Sequence, residues 1–452
     1  MRRLTIASLV AAILSAGCAP VVPPPSTLAP TRAPSAGPTT VSTTGPTASA
    51  SAALTRDQGW IADIDAVLEA RERLHPDPWH NLDRATWVAA ADAAKARIST
   101  IDDDAALVEV VRLAQMPGWG GRDGHTGIFP FIPGSGTHVY PILMWRFSDG
   151  LVITSAKAPY EDLVGSRIVA IDRRPIEEIL LGVEPLAPRD NPSNLLSYGP
   201  LYLRTSELLA GLGYLDAGGP ATFTVIGPEA DAPMRDVRIE PILADDDVAW
   251  HGGDPLTLPP TGAPLWLSRK HETLWWTYLA DSKTLYVQYN EVARGIDAVA
   301  DEVLDRAKRA DVDRVVVDLR NNGGGDNNTY RRLRAVLQDP AIDQPGRLTL
   351  LIGRLTFSAA ANFATELEQT TGARFLGEDM GGSPNLYGDV RPTRLPYGAL
   401  GPIDIYVATR YWVKSTADDP RITIEPDVAV PFSSADYLAG RDPVLEAAIL
   451  PR

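Results

Sequence analysis

Cysteine is all but missing. The 452 residues include one, Cys18, which excludes an internal disulfide and any thiolate zinc site. Thiol redox chemistry goes with them. Positive charge is scarce as well: 42 Lys and Arg stand against 57 Asp and Glu, a formal charge of -15. The deficit belongs to the body, since the first 54 residues carry Arg2, Arg3 and Arg32 and no acid. A body this acidic is poorly suited to neutralising phosphates, so nucleic acid is not an expected partner. What remains is ordinary globular material, 44% hydrophobic and 22% charged, long enough for two or three domains.

The chain starts with positive charge at Arg2 and Arg3, and Leu4 to Leu14 is apolar or small. Ser15-Ala-Gly17 then precedes Cys18, the layout of a secretory signal whose apolar run is too short to stay as a membrane span. The cysteine after small residues resembles a bacterial lipoprotein signal, which implies acylation of Cys18 and residues 1–18 as signal. Ser15 stands where such signals carry leucine, and an ordinary signal with an incidental cysteine is the alternative. Residues 19–54 hold eight prolines among Ser, Thr and Ala, an extended tether unable to bury a core. Anchor and tether together predict an exported, cell-envelope protein, held by lipid to the outer face of a bacterial membrane.

In the body, Trp60, Ile64, Val67, Leu68 and Leu74 recur at helical spacing until Pro76 and Pro78. Helices are predicted again over 84–98 and 105–114, so residues 55–137 read as a helical region ending in a glycine-dense loop. Over 138–245 the signals are short strands: 151–154, 168–171, 221–226 and 237–243. Tyr160 to Pro175 (a polar turn, a glycine, a strand and a turn) resembles part of a PDZ domain, and any small β module would fit equally. From Leu285 strands and helices alternate, with strands at 285–289, 315–319, 348–352 and 403–408 and helices at 296–307, 329–337 and 358–369. Such alternation predicts an α/β core over 246–452 with mostly parallel pairing.

Three junctions stand out. In Val317-Asp-Leu-Arg-Asn-Asn-Gly-Gly-Gly325 a buried strand runs into three glycines, which let main-chain N–H groups approach a ligand. A phosphate loop would need a lysine and hydroxyl that are absent, and a plain turn is the bland alternative. In Leu350-Leu-Ile-Gly-Arg-Leu-Thr-Phe-Ser358-Ala-Ala-Ala a serine opens a small-residue helix. It could be an N-cap, but Ala361 occupies the position of a capping-box acid, and a helix N-terminus also suits a developing oxyanion. In Asp123-Gly-His125-Thr-Gly one histidine of six is framed by glycines, presented rather than packed.

Together and in this order, these segments resemble the tail-specific, carboxyl-terminal-processing serine peptidases, over about residues 57–450 and including Ile424-Glu-Pro-Asp427. The resemblance implies a ClpP/crotonase-like strand-helix spiral, an inserted PDZ-like module and a nucleophile at Ser358. Many members use a lysine base some two dozen residues further on, but no lysine lies between Ser358 and Lys414. The tricorn-like, retinoid-binding-protein-like branch takes a histidine instead, which maps onto His125; Gly124 stands where that branch can carry serine. An orienting acid would come from the C-terminal loop, Asp419 or Glu425.

The resulting expectation is an envelope-anchored serine peptidase without metal or cofactor. His125 would activate Ser358, and N–H groups of Gly323, Gly324 and Ala359 would hold the oxyanion. A polypeptide, entering by its C-terminus along the PDZ-like module, would be the substrate. The alternative is an inactive peptide- or small-ligand-binding protein on the same fold.

Overall fold

The computed structural model describes residues 54–229, 231–251, 256, 259 and 261–450. The expected signal, Cys18 and nearly all of the tether lie outside them. Among the described residues no helix is long and apolar enough to cross a membrane.

Three helices open the body, Arg56–Leu74, Arg84–Arg97 and Asp103–Gln115. Each starts on a capping side chain, Thr55 (with Gln58 in a reciprocal capping box), Asp83 and Asp102, which satisfies N–H groups a helix start would otherwise leave open. Asp63 on the first helix accepts N–H bonds from Tyr397 and Gly398 at 2.8 and 3.1 Å, fixing it to the far end of the chain.

The next sheet orders its main strands Ile142–Phe147, Gly150–Ala156, Arg167–Ile171, Ala221–Ile226 and Met234–Ile239, all antiparallel. Helices Ile176–Val183, Pro192–Leu203 and Ser206–Gly211 interrupt the expected run of strands. Gly199 and Pro200 inside the second of these mask its helical pattern, while Asn191 caps it and Pro192 suits its first turn. One apolar cluster runs from Trp60 through Val111 to Tyr202 and Phe223, so the opening helices and this sheet share a core.

The second large sheet runs Leu274–Leu279, Thr284–Tyr289, Arg314–Asp318, Leu348–Ile352, Arg374–Gly377 and Val428–Ala429. Its first pair is antiparallel and the others parallel. Asp427 Oδ2 accepts the Phe375 N–H at 2.8 Å where the last strand joins. Val315, Val317, Leu350 and Ile352 are fully buried under helix Ala359–Thr370, whose Phe363 alone contributes about 3 kcal/mol of apolar burial. Because Arg314–Asp318 and Leu348–Ile352 are parallel neighbours, the loops that follow them open at the same edge of the sheet.

The strand expected over 403–408 is longer, Asp404–Val413, and lies outside that sheet. It pairs antiparallel with Asn385–Arg394 in a ribbon of two ten-residue strands, and its other side takes up Gly127–Ile128. The segment after the glycine-framed histidine is thereby tied to the C-terminal part of the chain.

Candidate active site

Ser358 stands where strand Leu348–Ile352 gives way to helix Ala359–Thr370. The turn between them is closed by the Thr356 N–H to Gly353 O, 2.8 Å, and by Thr356 Oγ1, which donates to Leu319 O at 2.9 Å. Phe357 N–H donates to Asn322 O at 3.1 Å and so joins the serine turn to the glycine loop. The chain then passes through Ser358 with φ 54° and ψ -125°, a conformation that costs of order 1–3 kcal/mol outside glycine. Ser358 makes no capping bond. Its Oγ lies instead 3.0 Å from Nε2 of His125, 233 positions earlier in the chain.

His125 is held face-on to Phe357, with ring centroids 4.5 Å apart and 20° between planes. Its loop is stitched on every side. Asp123 Oδ1 accepts the Thr126 N–H at 3.1 Å, Arg122 O accepts the Tyr387 N–H at 2.8 Å, and Thr126 Oγ1 accepts the Ala408 N–H at 3.1 Å. Burial pushes the imidazole down to about 4, against the opposing pull of the Asp123 charge and the Tyr387 carbonyl. At neutral pH the ring is therefore uncharged, the state a general base requires. The Tyr387 carbonyl is the acceptor on hand for Nδ1, although among the described residues the contact falls short of ordinary hydrogen-bond geometry.

A Cβ on Gly124 would lie 2.9 Å from Asn194 Oδ1 and 3.0 Å from the Asp190 N and Oδ1. That close approach accounts for glycine where serine was the alternative. Gly324 is equally constrained: its φ is +112°, and a Cβ there would meet Ser358 Cβ at 2.6 Å. Its N–H, expected among the oxyanion donors, donates instead to Asn322 Oδ1 at 3.0 Å. The N–H groups of Gly323 and Ala359 have no hydrogen bond among the described residues, and the Cα of Gly323 faces open space.

Of the two acids expected to orient His125, Asp419 is occupied elsewhere. Asp419 accepts from Ser415 Oγ at 2.5 Å and from Arg421, whose guanidinium, more than burial can counter, holds the carboxyl well below the usual range. Asp419 reaches the histidine loop through its main-chain O, which accepts from Arg122 Nη2 at 2.7 Å. Glu425 is exposed. Lys414 is no substitute base, because its Nζ is paired with Glu366 and donates to Tyr330 Oη.

One group has a metal-like composition. Ligand atoms of His75, His80 and Asp123 lie within 4.8 Å of one another. His75 Nδ1, however, accepts the Asp77 N–H at 3.1 Å, which places the ring proton on Nε2, 3.3 Å from Asp123 Oδ2. The Arg71 guanidinium takes the same oxygen at 3.1 Å. A metal ion would have to displace that proton beside a buried cation, so the group fits a polar brace better than a metal centre. Burial opposes the Asp123 charge, but His75 and Arg71 outweigh it and hold the carboxyl far below its ordinary range. Asp190, Asn194 and Asn322, which shape the two loops, had no signal in the sequence beyond the last one's place before three glycines.

Solved structures of CPAF share this fold. Mature CPAF complexed with lactacystin aligns with a TM-score of 0.61 at 13% identity, over 87% of this chain and 97% of that one. Mature CPAF itself gives 0.58 at 13% identity, over 87% and 96%. The photosystem II D1 C-terminal processing protease aligns with a TM-score of 0.37 at 15% identity, over 87% and 99%. No protein-family model matches the chain, and no curated protein does. The chain is thus a mixed α/β protein with the fold of CPAF, and its function rests on its own residues.

Proposed function

We propose that this chain is a serine peptidase in which His125 activates Ser358. The observation that carries the proposal is the 3.0 Å contact between Ser358 Oγ and His125 Nε2, made by a serine in a strained conformation and a histidine kept neutral. As Ser358 Oγ attacks a peptide carbonyl, its proton passes to Nε2, and the carbonyl electrons move to the oxygen. The free N–H groups of Gly323 and Ala359, the latter at a helix N-terminus, are the donors for that oxyanion; losing one such donor typically costs about 3 kcal/mol of barrier. His125 then returns the proton to the leaving amine. Water, deprotonated by the same ring, releases the acyl group and restores Ser358.

The tail-specific family, with a histidine rather than lysine base, accommodates these roles. On this reading residues 246–452 are a ClpP/crotonase-like core, 55–137 the helical region and 138–245 a PDZ-like module that presents polypeptide substrate. Cys18 carries the lipid that anchors the protein to the cell envelope. The antiparallel sheet with its helix Ile176–Val183 supports the module assignment, and the lone Cys18 the anchor.

A second reading, a ligand binder with a silent dyad, draws on one observation: Ser358 and His125 are only 5% and 2% exposed, and among the described residues no acid orients His125 Nδ1. A fluorophosphonate probe decides between them. A peptidase labels, loses the label in Ser358→Ala and loses most of it in His125→Gln; a silent dyad leaves all three proteins unlabelled, and a label that survives Ser358→Ala reassigns the nucleophile.

A further inference from the structure

We propose that Asp190 is the positioning residue that sets the spacing of Ser358 and His125, and that its ionised carboxylate is what holds them at that spacing. The inference rests on the peptidase reading for its catalytic consequence and on geometry alone for the rest. Asp190 is fully buried, in the connection that leads into helix Pro192–Leu203. One carboxylate oxygen accepts the Gly124 N–H at 2.7 Å, beside His125. The other accepts the Ser383 N–H at 3.0 Å. Ser383 closes the turn that backs the nucleophile: Gly382 N–H donates to Thr356 O at 3.0 Å, and a Cβ on Gly382 would lie 3.4 Å from Ser358 N. A single carboxylate therefore spans the loop that carries the base and the turn that supports the serine.

The main chain reinforces the link. Asp190 O accepts the Arg122 N–H at 2.8 Å and Ser383 Oγ at 3.1 Å. Asn191 Nδ2 donates to Met380 O at 2.9 Å and Gly381 O at 3.0 Å, so the neighbouring residue grips the same turn. These bonds do not depend on protonation; the two carboxylate bonds do. Protonation puts a hydrogen on one of the two oxygens and weakens the N–H bond which that oxygen accepts.

No cation is paired with this carboxylate among the described residues. The groups that face it are Asp123 and Arg122 from the histidine loop and Tyr198 from helix Pro192–Leu203; the turn 380–383 brings no titratable side chain. Burial is the largest influence and favours the neutral acid, as does Asp123; the Ser383 and Gly124 N–H groups and Arg122 favour the anion. The balance leaves Asp190 at about 7, so the bridge is made above neutrality and loosened below it. His125, at about 4, would remain a competent base well after the bridge had gone.

The test is hydrogen exchange, resolved by peptide and corrected for the intrinsic effect of pH, on full-length protein at about pH 8 and about pH 5.5, either side of an acid near 7. Peptides covering 120–128 and 380–386 are expected to lose roughly tenfold in protection at the lower pH in the wild type. In Asp190→Asn their protection is expected to be the same at both. The kcat/KM of the wild type should fall with an apparent pKa near 7, and that limb should be missing in Asp190→Asn. Wild-type protection that ignores pH, or a variant that keeps the wild-type pH response, overturns the proposal. If Asp190→Asn does not fold, the wild-type exchange decides alone. Protection that shifts as expected in a protein without any hydrolysis or labelling sinks the peptidase reading and leaves the Asp190 bridge standing.

Discussion

Gly324 and Ser358 are packed so closely that a methyl group on the first would lie 2.6 Å from the Cβ of the second. Gly324→Ala also forces alanine to φ +112°. We predict a loss of about 1–3 kcal/mol in stability, and a larger proportional loss in reactivity, because the displaced atom is the Cβ of Ser358, the proposed nucleophile. Urea melts together with the rate of fluorophosphonate labelling check this. A variant with ordinary stability and ordinary labelling would show that the loop can yield without moving Ser358.

The second prediction concerns acid. Burial lowers His125 from 6.5 to about 4, so folding favours its neutral form. Between those values the unfolded chain binds the extra proton and the folded one does not, and stability drains as pH falls through that window. The loss is about 2 kcal/mol by pH 5. His125→Gln removes this contribution, so wild-type and variant stabilities measured at pH 7.5 and pH 5 should draw together at the lower pH. Asp190 acts in the opposite sense but is present in both proteins. A difference that stays constant with pH would mean the ring is not buried as described.

Asp123 and Arg71 form a pair in which both side chains are at most 1% exposed. Asp123→Ala leaves a guanidinium buried with no carboxylate and is expected to cost about 3–5 kcal/mol. Arg71→Met should cost less, since the N–H of Thr126 and the His75 ring still serve the carboxylate. Denaturant midpoints of the two variants rank them; the reverse order would contradict the brace described here.

Lys414→Met is predicted to leave labelling of Ser358 within about twofold of the wild type, with a stability change near 1 kcal/mol from its partly exposed pair with Glu366. A large loss of labelling would bring lysine back as the base.

Much of this was readable in advance, for reasons that differ by segment. Helix Arg56–Leu74 and strands Arg314–Asp318 and Leu348–Ile352 obey hydrophobic periods that local sequence displays directly. Helix Pro192–Leu203 was hidden by its own Gly199 and Pro200. The ribbon partner Asn385–Arg394 contains Gly388 and Pro392 and has no simple alternation of apolar residues, so nothing local marked it as a strand. Ser358 and His125 could be singled out from their glycine-rich and small-residue settings. Asp190 could not, because a carboxylate whose partners are main-chain N–H groups 66 and 193 positions away leaves no trace in the residues around it. The same holds for Asn322, which withdraws the Gly324 N–H by folding back over two residues.

The strand Asp404–Val413 pairs with Gly127–Ile128 and so adds the last of the bonds that hold the histidine loop. Ser358 and His125 both precede that strand in the chain. On the peptidase reading, a growing chain is thus expected to stay unreactive until its last portion has been synthesised. Polypeptides ended ahead of residue 385 should leave Ser358 unlabelled, and a reactive fragment of that length would show that completion is not the trigger.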